Sequence, residues 1–159
     1  MKENIISNWL GEWELEIREN GIVKEIVPLK HNLITDVGLN MFRDLLKGTI
    51  ADGKIKYVAL GNGATAPVNA NTQLVAEQYR DIVTSQSVDP VTAGKLYTEL
   101  YIADIAANAF KCEEIGWFAG VGASATINTG ICIARVLYSR QKSSTESWVI
   151  RRSDILSRG

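Results

Sequence analysis

The sequence contains very few of the residues on which metal binding and nucleophilic catalysis usually depend. Its 159 residues include one histidine, His31, and two cysteines, Cys112 and Cys132. Two cysteines twenty positions apart, with a single histidine elsewhere, do not form a recognisable zinc-ligand spacing. A Ser-His-Asp or Cys-His site would have to use His31 as its base, yet its neighbours Lys30 and Asn32 are typical of a surface or strand-end position. We therefore expect no metal, no cofactor and no catalytic residue.

Strong charge and long apolar runs are also absent. A formal net charge of -1 gives no reason to expect a nucleic-acid partner. No apolar stretch reaches the roughly 18 residues of a membrane span, and charged residues interrupt the start, which is not typical of a signal peptide. Cys112 and Cys132 lie in apolar, strand-like sequence, so we expect free buried thiols, as in a protein made in a reducing cytoplasm. Nothing divides the chain, and residues 1–159 are predicted to form a single β-rich domain.

The first thirty residues predict a β-hairpin. Trp13, Leu15 and Ile17 alternate with glutamates, which is typical of a half-buried strand. Asn20-Gly21 is a strong hairpin-turn signal because both residues tolerate positive φ. Pro28 in the return strand, 22–29, predicts a sheet edge or a strand end at that point.

The next segment changes to a helical period. Apolar residues in "TDVGLNMFRDLLKG" form one stripe, with Thr35 or Asp36 as the N-cap and Lys47-Gly48 as the stop. A second short helix is predicted at "TQLVAEQY", residues 72–79.

The rest of the chain reads as short strands separated by turn-forming residues. The predicted strands are 55–60, 79–88, 95–104, 109–118, 129–138 and 147–152. Together with the hairpin and the short amphipathic α-helix, this pattern predicts a mainly β fold, specifically an antiparallel β-sandwich.

The stretch "KYVALGNGATAP" raises the question of a phosphate-binding loop, because a strand runs directly into Gly61-Asn62-Gly63. The third-glycine position of a dinucleotide fingerprint holds Ala66, and Pro67 follows where a helix should begin. No Gly-Lys-Ser/Thr is present either. The stretch therefore predicts a tight turn whose glycines serve backbone geometry.

The carboxylates do not suggest acid–base catalysis. Glu12, Glu14 and Glu16 share one strand face, which is typical of a solvated surface. Glu113 and Glu114 point to opposite sides of a strand, and Glu114 is predicted to face inward as a hydrogen-bonded structural group.

Four residues are candidate interaction residues. Trp9 and Trp13 belong to a set of aromatic residues that favours core or subunit packing, with a sugar-binding surface as the alternative. Arg151 and Arg152 begin a basic C-terminal stretch that either contacts a phosphate or an acidic partner or is simply solvated.

The order of the motifs carries a resemblance to a known family. The stretches "HNLITDVGLNMFRDLLKG", "YVALGNGATAPVNANTQLVAEQYR", "EEIGWFAG", "GICIARVLYS" and "KSSTESWVIR" follow one another between residues 30 and 152. In this order they resemble a family of bacteriophage tail-associated structural proteins. Residues 1–29 lie outside the resemblance, and this hairpin is a candidate docking element that could add a strand to a neighbour's sheet.

The resemblance implies a structural component of the virion, in the tail, baseplate or tail-fibre region, synthesised in the host bacterial cytoplasm. It implies a homo-oligomer, with a trimer favoured, that docks to other phage structural proteins and has no enzymatic activity. The alternatives are a head-decoration or neck protein, a module that binds a host-surface glycan, and a hydrolase that uses the glutamates.

Overall fold

The computed structural model describes residues 8–158, which form nine strands and one helix. The strands are β1 (Asn8–Glu19), β2 (Ile22–Ile34), β3 (Ile55–Gly61), β4 (Glu77–Ile82), β5 (Ser85–Val88), β6 (Lys95–Ile102), β7 (Lys111–Ala119), β8 (Ile131–Gln141) and β9 (Glu146–Ser157). The helix α1 spans Asp36–Lys47. The prediction of a mainly β, antiparallel fold with one amphipathic helix is confirmed.

The strands form one sheet in the order β4-β3-β7-β8-β2-β1-β9-β6-β5, and this sheet is curled into a half-barrel. This differs from the predicted sandwich of two separate sheets. The sheet is continuous because β2 pairs with β1 along most of its length and with β8 at Leu33 and Ile34. Its curvature brings apolar side chains from both halves of the sheet into one core.

The two ends of the sheet meet where the chain passes from β4 to β5. The Val83 N–H donates to Lys56 O on β3, whereas the next N–H, that of Thr84, donates to Glu99 O on β6. The predicted single strand 79–88 is therefore divided into β4 and β5. The division follows from the change of hydrogen-bonding partner at residues 83–84.

The N-terminal hairpin is built into the middle of the sheet. β1 lies between β2 and β9 and pairs with β9 along all twelve of its residues. Its Trp13, Leu15 and Ile17 side chains are fully buried, and Asn20 and Gly21 take positive φ values of 50° and 80°, as the turn prediction requires. Pro28 lies where the β1–β2 register shifts, so the strand passes through a bulge and continues to Ile34.

The helix α1 begins and ends as its sequence predicts. The Thr35 hydroxyl accepts a hydrogen bond from the Gly38 N–H at 3.1 Å, and Gly48 ends the helix in the left-handed conformation with φ 75°. The prediction of a second helix at 72–79 is wrong. Residues 72–76 are irregular and Glu77 begins β4, because the N–H groups of Val75 and Ala76 bind the Glu114 side chain instead of helix carbonyls.

Thr35 offers a test of how α1 is held on the sheet. Its hydroxyl also donates to Cys132 O on β8 at 2.5 Å, and the residue is fully buried. We expect Thr35→Val, which keeps the shape and removes both hydrogen bonds, to lower the free energy of unfolding by about 1–3 kcal/mol. Urea unfolding measures the loss. Thr35→Ser keeps the hydroxyl and serves as the control, and equal losses in the two variants would contradict this role.

Candidate functional site

A buried carboxylate on β7, that of Glu114, accepts four hydrogen bonds in the interior. It is fully buried, and the Gly63 and Ala76 N–H groups donate to its Oε1 at 3.2 and 2.8 Å. The Val75 N–H donates to Oε2 at 3.0 Å. The predicted structural role of Glu114 is confirmed, and the partners are the two ends of the loop 62–76.

The glycines of "LGNG" make room for this carboxylate. A Cβ on Gly61 would lie 2.5 Å from Glu114 Oε1 and 2.6 Å from Ala76 O. A Cβ on Gly63 would lie 2.6 Å from the same carboxylate oxygen. The loop does present backbone N–H groups to an anion, as a phosphate loop would, but the anion is the protein's own glutamate. The prediction that the glycines serve backbone geometry is confirmed, but the tight turn is wrong, since β3 is followed by the fifteen-residue loop 62–76.

Arg135 on β8 completes the cluster around Glu114. Its Nε donates to Glu114 Oε2 at 2.6 Å, and a terminal nitrogen donates to Thr65 O at 2.6 Å. Arg135 is 1% exposed, so the pair is fully desolvated and each charge depends on the other. The sequence contained a signal for this residue, a single arginine inside the apolar run "ICIARVLY", but sequence reasoning did not use it.

A second buried ion pair holds the loop between β7 and β8. Arg80 binds Glu77 at 2.5 Å, and one terminal nitrogen of Arg80 donates to Ser124 O and Thr129 O, both at 2.9 Å. The guanidinium also lies 4.4 Å from the centre of the Phe118 ring. Arg80 therefore fixes a loop that has no regular secondary structure of its own.

The predicted interaction residues Trp9 and Arg152 are brought together at a third ion pair. Arg152 binds both carboxylate oxygens of Asp154, at 2.8 and 2.6 Å, and Trp9 Nε1 donates to the same carboxylate at 2.8 Å. Arg152 is 1% exposed and lies over the Trp117 ring, so its side chain is enclosed by this chain. Trp9 is half-buried and packs near Phe42 of α1.

The other two predicted interaction residues are separated by the sheet. Trp13 faces the core and is 1% exposed, so it cannot contact a partner on the folded surface. Arg151 lies on the opposite face, where it binds Glu16 at 2.7 Å and Glu99 at 2.9 Å. Its hydrogen bond to Glu16 lowers the pKa of that carboxyl. The glutamate face of β1 is thus an ion-pair ladder that includes Arg151 and Arg18.

All buried carboxylates of the described residues share one property. Each is paired with an arginine: Glu16 with Arg151, Glu77 with Arg80, Glu114 with Arg135, Glu146 with Arg140, and Asp154 with Arg152. These contacts engage the carboxylates in holding loops and strands together. The arrangement ties the strands and loops of the described residues to one another through buried ion pairs.

The cysteines and the histidine lie apart from these clusters. Cys112 and Cys132 are free and buried, as predicted, and burial raises the pKa of each thiol to about 12. His31 is a surface residue with a 70% exposed side chain, 3.5 Å from Glu12. Within residues 8–158 no group of three or more His, Cys, Asp or Glu side chains could hold a metal ion.

The surface feature that most needs an explanation is an apolar strip along β2, formed by Ile22, Val23, Ile26, Leu29 and Leu33. Their exposed fractions run from 37% at Leu33 to 74% at Ile22. Only Val27 of this strand is buried by the core. Five exposed apolar residues on one strand are a candidate protein contact.

Comparisons of the chain with family models, with curated proteins and with solved structures found no match. None of the helices in residues 8–158 has the length and apolar character that a membrane crossing requires.

Removal of the Glu114 carboxylate tests the loop cluster. Glu114→Ala leaves the Arg135 charge buried without its partner, so we expect a loss of about 3–5 kcal/mol in unfolding free energy. We also expect faster hydrogen exchange at the Gly63, Val75 and Ala76 amides, because their acceptor is gone. Urea unfolding and amide exchange measured by mass spectrometry give the two results.

The neighbouring Glu113→Gln is the matched control and should leave both measurements nearly unchanged, because Glu113 is bound by the exposed Lys111 and by Ser139 and contacts none of these loop amides. Unchanged amide exchange in a folded Glu114→Ala variant would contradict the proposal that Glu114 holds the two ends of the loop 62–76.

Proposed function

We propose that this chain is a structural protein of a bacteriophage particle, in the tail, baseplate or tail-fibre region. It acts by contacts with copies of itself, most simply as a trimer, and with neighbouring virion proteins. The ordered motifs of the sequence support this proposal. The fold is compatible with it, because buried ion pairs and a continuous sheet give a stable subunit.

The observation that carries the proposal is the apolar strip on β2. Ile22, Ile26 and Leu29 are each more than half exposed, although the strand lies inside the sheet order. Apolar side chains at this density are stabilised when a partner removes them from water. A subunit of a larger assembly has such a partner.

The contact is expected to use side chains and not the main chain of β2. β2 pairs with β8 only at Leu33 and Ile34, so its outer edge is open before that point. However, Glu25 binds Arg140 across this gap at 3.0 Å, and Lys24 lies 3.5 Å from Glu146. Charged residues, Pro28 and a bulge are devices that discourage strand addition. The docking role of the hairpin is therefore proposed for its apolar strip.

The mass of the protein in solution tests the proposal. We expect light scattering to give a multiple of the chain mass that is unchanged across a dilution series. Ile26→Lys places a charge in the strip and should lower this mass. Ile105→Lys is the control, since Ile105 is 86% exposed and lies in the connection between β6 and β7. A monomer at every concentration would argue against self-assembly.

A host-glycan-binding module is the second candidate, and one observation favours it. On the outer face of the sheet, Tyr101 is 45% exposed and Tyr97 39%, beside a cavity of about 250 Å³ that Glu99 and Arg151 help to line. Aromatic rings next to charged groups are suitable for a sugar ring.

A glycan array tests this candidate. If the face binds sugar, Tyr101→Ala should abolish the signal that the unchanged protein gives, while Ile105→Ala should retain it. An array without signal above background for the unchanged protein would count against the candidate.

A further inference from the structure

A second apolar surface lies between α1 and the ends of β1, β6 and β9. A cavity of about 240 Å³ is lined there by Trp9, Met41, Phe42, Leu45, Leu96 and Leu156, among others. An adjoining cavity shares Trp9, Phe42 and Leu156 and extends to Leu39. The two cavities are neighbours that share these three lining residues, and we name them together the α1 groove.

The polar groups in the α1 groove are already satisfied within the chain. Asp154 is bound by Arg152 and by Trp9. The Gln86 side-chain amide donates to Ile55 O at 3.2 Å and to Thr98 Oγ1 at 3.3 Å. The α1 groove therefore offers apolar contact at its floor, with the exposed cations Lys54 and Arg158 at its margins.

A projecting apolar tip lies beside the α1 groove, on the turn between β5 and β6. Val88 is 75% exposed and Val91 is 89% exposed, with Pro90 between them also exposed. The tip is held rigidly by Asp89, whose Oδ1 accepts from the Val91 N–H at 2.9 Å and the Thr92 N–H at 2.6 Å. The Tyr97 hydroxyl donates to its Oδ2 at 2.7 Å, and these hydrogen bonds lower the pKa of the Asp89 carboxyl, which stays ionised.

The tip does not fill the groove of its own chain. Gly94, at the end of the same turn, lines the groove and accepts a hydrogen bond from the Leu156 N–H at 3.0 Å. This bond fixes the base of the turn at the groove wall, while Val91 remains exposed. The chain thus places an apolar projection, held by the hydrogen bonds of Asp89, beside an apolar depression that it does not fill.

We infer that the Val88–Val91 tip of a second copy of this chain occupies the α1 groove. The charges agree with this occupant, because the tip carries ionised Asp89 and the groove margins carry Lys54 and Arg158. A surface that pairs a projection with a different depression closes into a ring or a reciprocal dimer when the rotation permits. This inference rests on the proposed self-assembly, and it names the contact involved.

Cross-linking between two differently labelled chains tests the contact directly. Val91→Cys protein is mixed with Leu39→Cys protein, since Leu39 is 49% exposed at the groove, and a short bis-maleimide is added. The native Cys112 and Cys132 are buried and give a low background. We expect a cross-linked species containing one chain of each type. The control replaces Val91→Cys with Val121→Cys, a tip that is 85% exposed on another loop.

Val91→Ser provides a second measurement on a residue whose side chain makes no contribution to the core. We expect it to weaken self-association at least tenfold in a light-scattering dilution series, whereas Val121→Ser leaves it unchanged. Cross-linking no stronger than in the control pair, with unchanged association of Val91→Ser, would overturn the inference. If Ile26→Lys still disrupts the oligomer in that case, the proposed function survives. A monomer at all concentrations overturns the inference and argues against self-assembly.

Discussion

Glu114 and Arg135 lie on neighbouring strands, and their fully buried ion pair is the interaction on which the rest of the described structure most depends. The carboxylate satisfies three backbone N–H groups at the two ends of the loop 62–76, and the guanidinium binds Thr65 O in the same loop. Neither charge is tolerable in the interior without the other. One pair therefore fixes the path of a fifteen-residue connection that has little core of its own.

Buried pairs of an arginine and a carboxylate also hold other parts of the sheet. Arg80 and Glu77 hold the loop after β7, and Arg152 and Asp154 join Trp9 to the last strand. A curled sheet with long connections exposes many backbone groups at its margins, and arginine can satisfy several carbonyls and a carboxylate at once. The loops 62–76 and 120–130 are thus each tied to the sheet by a buried ion pair.

The strip on β2 and the α1 groove with its neighbouring tip are apolar surfaces that this scaffold leaves uncovered. They lie in different regions of the sheet. The strip follows β2, whereas the groove lies between α1 and the ends of β1, β6 and β9. In the proposed assembly both surfaces contact other copies of the chain, and their separation allows one subunit to make two contacts at once.

The sequence alone determined the features that depend on residues close together in the chain. Alternation identified β1, Asn20-Gly21 identified its turn, and Thr35 and Gly48 marked the ends of α1, since local periodicity and backbone preference act over a few residues. Only the tertiary structure decided that Glu114 binds Ala76, 38 positions away, and Arg135, 21 positions away. The tertiary structure also divides the predicted strand 79–88 into β4 and β5, and it has an irregular segment and the start of β4 where a helix was expected at 72–79. It buries Trp13 and Arg152, and it leaves the β2 strip exposed. Those outcomes depend on which distant strands become neighbours. A buried charge needs a partner from another part of the chain, and a side chain is buried only when another element packs over it.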